Sequence, residues 1–221
     1  MVDEMKLKVQ LTRALFISFF SAIGFGLLAL SISEDRISKV DHMIISVIQG
    51  LESPILTSIM KFFTFTGGGT PVVIVSLVVG LLLFKILHHR RELILFIWVV
   101  IGSSLLNDAL KLIFHRARPE LHRMIDVNGF SFPSGHSMAA FSLYGVMAFL
   151  LWRHTLTSIG RGVLIAFSVA MILMIGISRI YLGVHYPSDV LGGFLASGCW
   201  LSISIWFYQR YMENLFKVKY G

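Results

Sequence analysis

Apolar residues gather in six blocks along this chain, at 14–32, 71–87, 93–114, 137–152, 159–177 and 190–208, separated by charged residues, Gly and Pro. Each block is long enough, or nearly so, to cross a hydrocarbon core of about 30 Å as a helix. The pattern predicts an all-α integral membrane protein with six transmembrane helices, forming one domain over 1–221. Lys6, Lys8 and Arg13 precede the first block as in a signal peptide, with a weak cleavage pattern at Ala29-Leu30-Ser31. The block outruns a signal core, so an uncleaved helix is expected.

Between the first two blocks the period changes. Ile37, Val40, Ile44, Val47, Ile48 and Leu51 recur at three- and four-residue steps, with Asp41, His42 and Gln49 opposite. This predicts an amphipathic helix on the membrane surface, capped by Ser33 with Glu34 and Asp35 in its first turn. Ser53-Pro54 starts a second short helix, which carries Phe62, Phe63 and Phe65 to the Gly67-Gly68-Gly69 turn. Both read as short extracytoplasmic interfacial helices that anchor the protein; a greasy wall for a lipid tail is the sharper alternative.

Composition agrees: 56% of residues are hydrophobic and 14% charged, against about a quarter charged in soluble domains. The net charge of +7 comes from 19 Lys and Arg against 12 Asp and Glu. These cations sit at the ends of apolar blocks, which favours lipid headgroups and phosphate-bearing substrates as partners, not nucleic acid. The lone Cys199 excludes an internal disulfide and reads as a packing residue. Lys6, Lys8, Arg13, Lys85, Arg90, Arg91, Arg153, Arg161, Arg210, Lys217 and Lys219 fall on one side of the six-helix layout, so the N- and C-termini are placed in the cytoplasm of a multi-pass plasma-membrane protein. His88 and His89, beside Arg90 and Arg91, read as inner-surface charge.

Three polar clusters then lie together on the extracytoplasmic side: Lys111–Pro119, Pro133–His136 and Ser178–Asp189. Ionisable residues at membrane depth cost roughly 2.5–3.5 kcal/mol each and tend to be functional or paired. Lys111 and Arg118 are seven apart, a spacing that puts both on one helix face, and Arg179 adds a third cation. Asp108 can pair with Lys111; otherwise the three cations await a polyanion such as phosphate. Ser134, Gly135 and His136 open a helix whose first N–H groups are free for an anion. Asp189, four residues after His185, can hold one ring nitrogen as N–H and leave the other to attack, while His136 donates a proton to the leaving oxygen. Such a set suits phosphoryl transfer through phosphohistidine.

Lys111 with Arg118-Pro119, then Pro133-Ser134-Gly135-His136, then Ser178-Arg179 with Gly183, His185 and Asp189, resembles the signature of the type 2 phosphatidic acid phosphatase superfamily. The resemblance implies His185 as nucleophile, His136 as acid and Asp189 as orienter. Phosphate contacts are expected from Lys111, Arg118, Ser134, Gly135 and Arg179, with neither metal nor other cofactor. Ser178 is equally a phosphate contact or a helix cap. Phosphatidylglycerophosphate, phosphatidic acid and undecaprenyl diphosphate are the expected substrates, and the oligomeric state is open. Vanadium haloperoxidases resemble this family in motif but are soluble. A non-catalytic lipid-phosphate binder or transporter is the other alternative. Around the motifs, Arg116 and His115 read as solvated or headgroup-facing, Tyr181 and Tyr186 as interface anchors, and His122, Arg123 and Asp126 as possible headgroup contacts. Gly192, Gly193, Ala196 and Ser197 predict close helix packing behind Asp189.

Overall fold

In a computed structural model, which describes residues 2–86, 89–120 and 122–220 (side chains of 2–10, 86 and 213–220 apart), the chain is all helix and loop. The helices are α1 (Val2–Ser33), α2 (Ser38–Gln49), α3 (Pro54–Thr66), α4 (Gly69–Leu81), α5 (Arg90–Phe114), α6 (Gly135–His154), α7 (Ser158–Tyr181) and α8 (Pro187–Tyr220). A π-helical turn, Leu82–Ile86, prolongs α4. Among the described residues, five helices are long and apolar enough to cross a membrane: Leu11–Ser33, Arg90–Phe114, Gly135–His154, Ser158–Tyr181 and Pro187–Met212. The predicted second span corresponds to the shorter apolar stretch Gly69–Lys85. Helices α2 and α3 form a pair bent by 120°.

Helix boundaries follow local chemistry. Ser53 accepts the Leu56 N–H at the start of α3, ahead of Pro54, as expected. Ser33, expected to cap α2, instead ends α1 and donates its hydroxyl to the Ala29 carbonyl. The reason is the Glu34-Asp35 turn, where Asp35 takes the left-handed φ of 54° that Asp tolerates and α1 stops one turn earlier than α2 begins.

Helix α1 lies along α8, and α5, α6, α7 and α8 pack as a bundle on which α2 and α3 rest. Phe96, Val99, Leu143 and Val146 fill one core, while Leu28, Ala29 and Phe132 form another under the loop before α6. The small-residue stripe of α8 packs as predicted: the Phe132 ring stands where a Gly192 Cβ would be, and Ser197 donates to the Met138 carbonyl at 3.1 Å. Cys199 meets Ser18 of α1 across 3.4 Å. Antiparallel packing brings the end of α5, the start of α6, the end of α7 and the start of α8 together at one end of the bundle. At the other end Glu92 joins His89 and His154 at 3.1 and 3.4 Å, pinning α5 to α6. His88 lies outside the described residues.

Candidate active site

The centre is His185, in the turn between α7 and α8, with 1% of its surface exposed. Its Nδ1 faces Asp189 Oδ2 at 3.4 Å, and its Nε2 accepts an N–H from Arg118 Nη1 at 3.0 Å. Two donors cannot share Nε2, so this nitrogen carries the lone pair and Nδ1 carries the hydrogen. Asp189, fully buried in the first turn of α8, also accepts the Ser131 hydroxyl and, at 2.8 Å, the Tyr186 N–H. The Asp189 carbonyl accepts the Ser134 N–H at 3.0 Å, tying the Pro-Ser-Gly-His turn to the His185 turn.

Gly183 shapes that turn. Its φ is +72°, and a Cβ there would run into the His122 carbonyl oxygen, so both conformation and space require glycine.

Lys111 and Arg118 do meet at the site, but not by sharing a helix face. Helix α5 ends at Phe114, where His115 turns left-handed with φ 47°, and Arg118 arrives on the loop beyond. All five of its N–H groups are engaged: Gly129, Asn128, Phe130 and Val184 carbonyls take four, and His185 takes the fifth. Arg118 thereby ties down the long 115–134 loop. The Lys111 ammonium makes no hydrogen bond or ion pair among the described residues; Asp108, expected to pair with it, attracts it without coming within ion-pair distance. Its ammonium lies 3.6 Å from where a Gly135 Cβ would stand, and Asn107 Oδ1 would be 2.9 Å from that same atom. Only glycine leaves that approach open.

Arg179, 2% exposed, donates from Nη1 to Thr64 of α3, and its buried Nε has no partner among the described residues. The His136 ring lies against the Gly67-Gly68 turn, likewise without a hydrogen bond among the described residues. Lys111, Arg118, Arg179, His136 and His185 are close enough for their charges to act on one another. Three cations, one unpaired buried N–H, an imidazole without a hydrogen bond and a lone-pair nitrogen thus lie within charge range of one another.

Ser134 is completely buried and caps α6, its oxygen accepting from the Ser137 N–H at 3.4 Å and the Ser137 hydroxyl at 3.0 Å. Ser178 donates to the Ile175 carbonyl at 2.6 Å within its own helix.

Several other residues stand differently from their sequence reading. Arg116 does not face solvent or headgroups: it bridges Asp189 at 2.7 Å and Asp41 at 2.9 Å under the Tyr186 ring. Asp41, expected on the wet side of α2, is 1% exposed because that side docks onto the start of α8. Tyr181 is no interface anchor either; it is 1% exposed, with its hydroxyl 2.8 Å from Thr57. His122 pairs with Glu52 at 2.9 Å, and Arg123 turns back to Pro119. Asn107, which donates to the Pro133 carbonyl at 3.1 Å, and Thr64 went unnoticed in the sequence. Asn107 had a signal, a polar residue one helical turn before Lys111 in an apolar block; Thr64 had none.

The PAP2 superfamily pattern matches residues 92–213. Phosphatidylglycerophosphatase B of Bacillus subtilis is 32% identical over 173 residues, spanning 77% of this chain and 84% of that protein. A lipid A 1-phosphatase of Rhizobium johnstonii is 30% identical over 141 residues, but there the alignment spans only 53% of the relative and 56% of this chain. The crystal structure of a transmembrane PAP2 type phosphatidylglycerolphosphate phosphatase from Bacillus subtilis superposes with a TM-score of 0.79 at 28% identity, covering 90% of this chain and 97% of that one. With the motif residues gathered at one end of a shared helical bundle, this chain belongs to the PAP2 superfamily.

Proposed function

We propose that this membrane lipid phosphatase hydrolyses the terminal phosphate of phosphatidylglycerophosphate through a covalent phosphohistidine at His185. The observation that carries the reading is the unpaired donor set. A buried Arg179 N–H without an acceptor costs roughly 1–3 kcal/mol, and with the unpaired Lys111 ammonium beside it the pocket is built for an anion that completes it.

The chemistry runs in two balanced halves. The His185 Nε2 lone pair attacks phosphorus, the phosphorus–oxygen bond to the lipid breaks, and the leaving oxygen takes a proton from His136 to depart as an alcohol. Positive charge arising on the His185 ring is met by Asp189 through Nδ1–H. Neutral His136 then takes a proton from water, the hydroxide attacks phosphorus, and the phosphorus–nitrogen bond breaks. Phosphate leaves and His185 recovers its lone pair. Lys111, Arg118, Arg179 and the first N–H groups of α6 at Gly135 hold the equatorial oxygens, with the Ser134 hydroxyl within the same turn.

The substrate is the one in the name of the B. subtilis relative that aligns over most of its length; undecaprenyl diphosphate and phosphatidic acid are the competitors. For the membrane arrangement we take α4 with its π turn as the second of six spans and place the bent α2–α3 pair at the extracytoplasmic surface. Seventeen residues at 1.5 Å rise reach about 26 Å, close to a thin bilayer core. Arg90, Arg91, Arg153 and Arg161 then fall on the cytoplasmic side with both termini, and the site opens outside.

The test is phosphate release from liposomes carrying each of the three lipids in the presence of EDTA, with His185→Ala beside the native protein. Fastest release from phosphatidylglycerophosphate, lost in the variant, is expected. Undiminished release by His185→Ala would remove the nucleophile assignment, and faster release from either competitor would reassign the substrate.

A further inference from the structure

We infer that Asp41 and Arg116 are positioning residues for the reaction, so that the surface helix α2 is a working part of the active site. The inference rests on the phosphohistidine reading above. Asp189 has two oxygens with separate duties. Oδ2 collects the Ser131 hydroxyl, the Tyr186 N–H and His185 Nδ1, whereas Oδ1 is held by Arg116 Nη1 at 2.7 Å. The turn of the carboxylate about its own axis, and so the aim of Oδ2 at the ring, is fixed by where Arg116 stands.

Arg116 is held in turn. Its Nη1 also reaches Ser188 Oγ at 2.7 Å, and its Nη2 reaches Asp41 Oδ2 at 2.9 Å. Asp41 accepts the Ser188 N–H at 2.9 Å and the Ser188 hydroxyl as well. The Tyr186 ring covers the guanidinium at 4.1 Å, and the His42 ring meets Tyr186 edge-on at 6.1 Å. A guanidinium gripped between two carboxylates that are 1% or less exposed is a rigid, planar spacer, unlike a surface ion pair.

Two consequences matter for catalysis. The spacer keeps Asp189 aimed at Nδ1 while charge develops on His185. Asp41 also restrains a fourth cation that an arriving phosphate would otherwise draw toward itself and away from Asp189. Asp41 sets the aim of Asp189 through Arg116, while its hold on Ser188 anchors α2 to the start of α8; neither Asp41 nor Arg116 touches substrate.

Asp41→Asn, Arg116→Gln, Arg116→Lys and the Asn/Gln double variant should be assayed on the full-length protein with phosphatidylglycerophosphate in mixed micelles, with inorganic phosphate as competing ligand. Arg116→Gln should lower kcat about 10–100-fold, as loss of groups that orient functional residues does. KM and the phosphate inhibition constant should stay within about twofold, since a group outside the substrate contacts alters turnover and not ground-state binding. The double variant should match Arg116→Gln alone, and Arg116→Lys should recover part of kcat. Additive losses, or a KM and phosphate affinity that weaken in step with kcat, would overturn the inference, the latter by making Arg116 a phosphate ligand. Where Arg116→Gln fails to fold, Arg116→Lys and Asp41→Asn carry the same split between kcat and KM. Native kcat in these variants with His185→Ala inactive would remove this inference alone; an active His185→Ala would remove the phosphohistidine reading beneath it.

Discussion

Arg118 rests one N–H on the Nε2 of His185, 3.0 Å away, while its other four N–H groups bind backbone carbonyls. The lone pair that would attack phosphorus is therefore occupied at rest, and only that one N–H can pass to a phosphate oxygen without releasing the loop. Arg118→Lys should lower kcat by about 10²–10³, the usual effect of losing a donor aimed at developing charge. It should also raise proteolytic cleavage within 115–134, because a lysine cannot hold four carbonyls at once. Steady-state kinetics and limited proteolysis check both; a kinetic loss with an unchanged cleavage pattern would deny the structural half.

The two histidines should separate by leaving group. Loss of a general acid typically costs 10²–10⁴-fold, roughly, and matters least where the departing oxygen is already a weak base. His136→Ala should recover most of its activity on p-nitrophenyl phosphate relative to a lipid phosphate, whereas His185→Ala stays inactive on both. Equal rescue of the two variants would contradict the division of roles.

Burial pushes His185 down from its ordinary 6.5 to about 4, against the opposing hydrogen bond and charge of Asp189, with Arg179 and Arg118 pushing further down. The ring is thus neutral and nucleophilic at neutral pH, and the acid limb of kcat/KM should lie near 4. Asp189→Asn removes the influence that raises His185, so its acid limb should move to lower pH even as kcat drops.

The same displacement links to stability. An unfolded chain protonates this ring near 6.5 and the folded one only near 4, so the contribution is complete above about 6.5 and is lost as pH falls toward about 4. The unfolding temperature in detergent should decline across that window, with a shallower decline in His185→Gln. Identical slopes would show that other groups dominate.

Gly183→Ala should destabilise the protein by at least about 1–2 kcal/mol from its left-handed backbone alone, before the collision with the His122 carbonyl. A lower unfolding temperature and a reduced kcat at unchanged protein yield are expected. Native behaviour would mean that the 183–185 turn has room to relax.

The sequence was most legible where chemistry is local. Apolar blocks located the long helices, and Ser53-Pro54 marked the start of α3, because hydrocarbon thickness and capping act over a few residues. The motif residues could be read as one pocket because the helix ends of an antiparallel bundle alternate. Long-range pairing was not legible. Nothing in α2 says that Asp41 meets an arginine 75 positions later, since amphipathic spacing separates wet from dry but does not distinguish water from a buried guanidinium. Lys111 and Arg118 converge for a different reason from the one their spacing suggests, because the left-handed turn at His115 replaces the expected second helical turn.

Asp41, Thr64, Gly67 and Gly68 all precede residue 92, where the superfamily match begins. Each borders a residue of the three motifs or the arginine that braces one. The recognisable half of the molecule is consequently not an interchangeable cassette. Grafting residues 92–213 onto the corresponding amino-terminal segment of another such phosphatase should yield an inserted but sluggish hybrid, and restoring those four positions should bring back much of its speed.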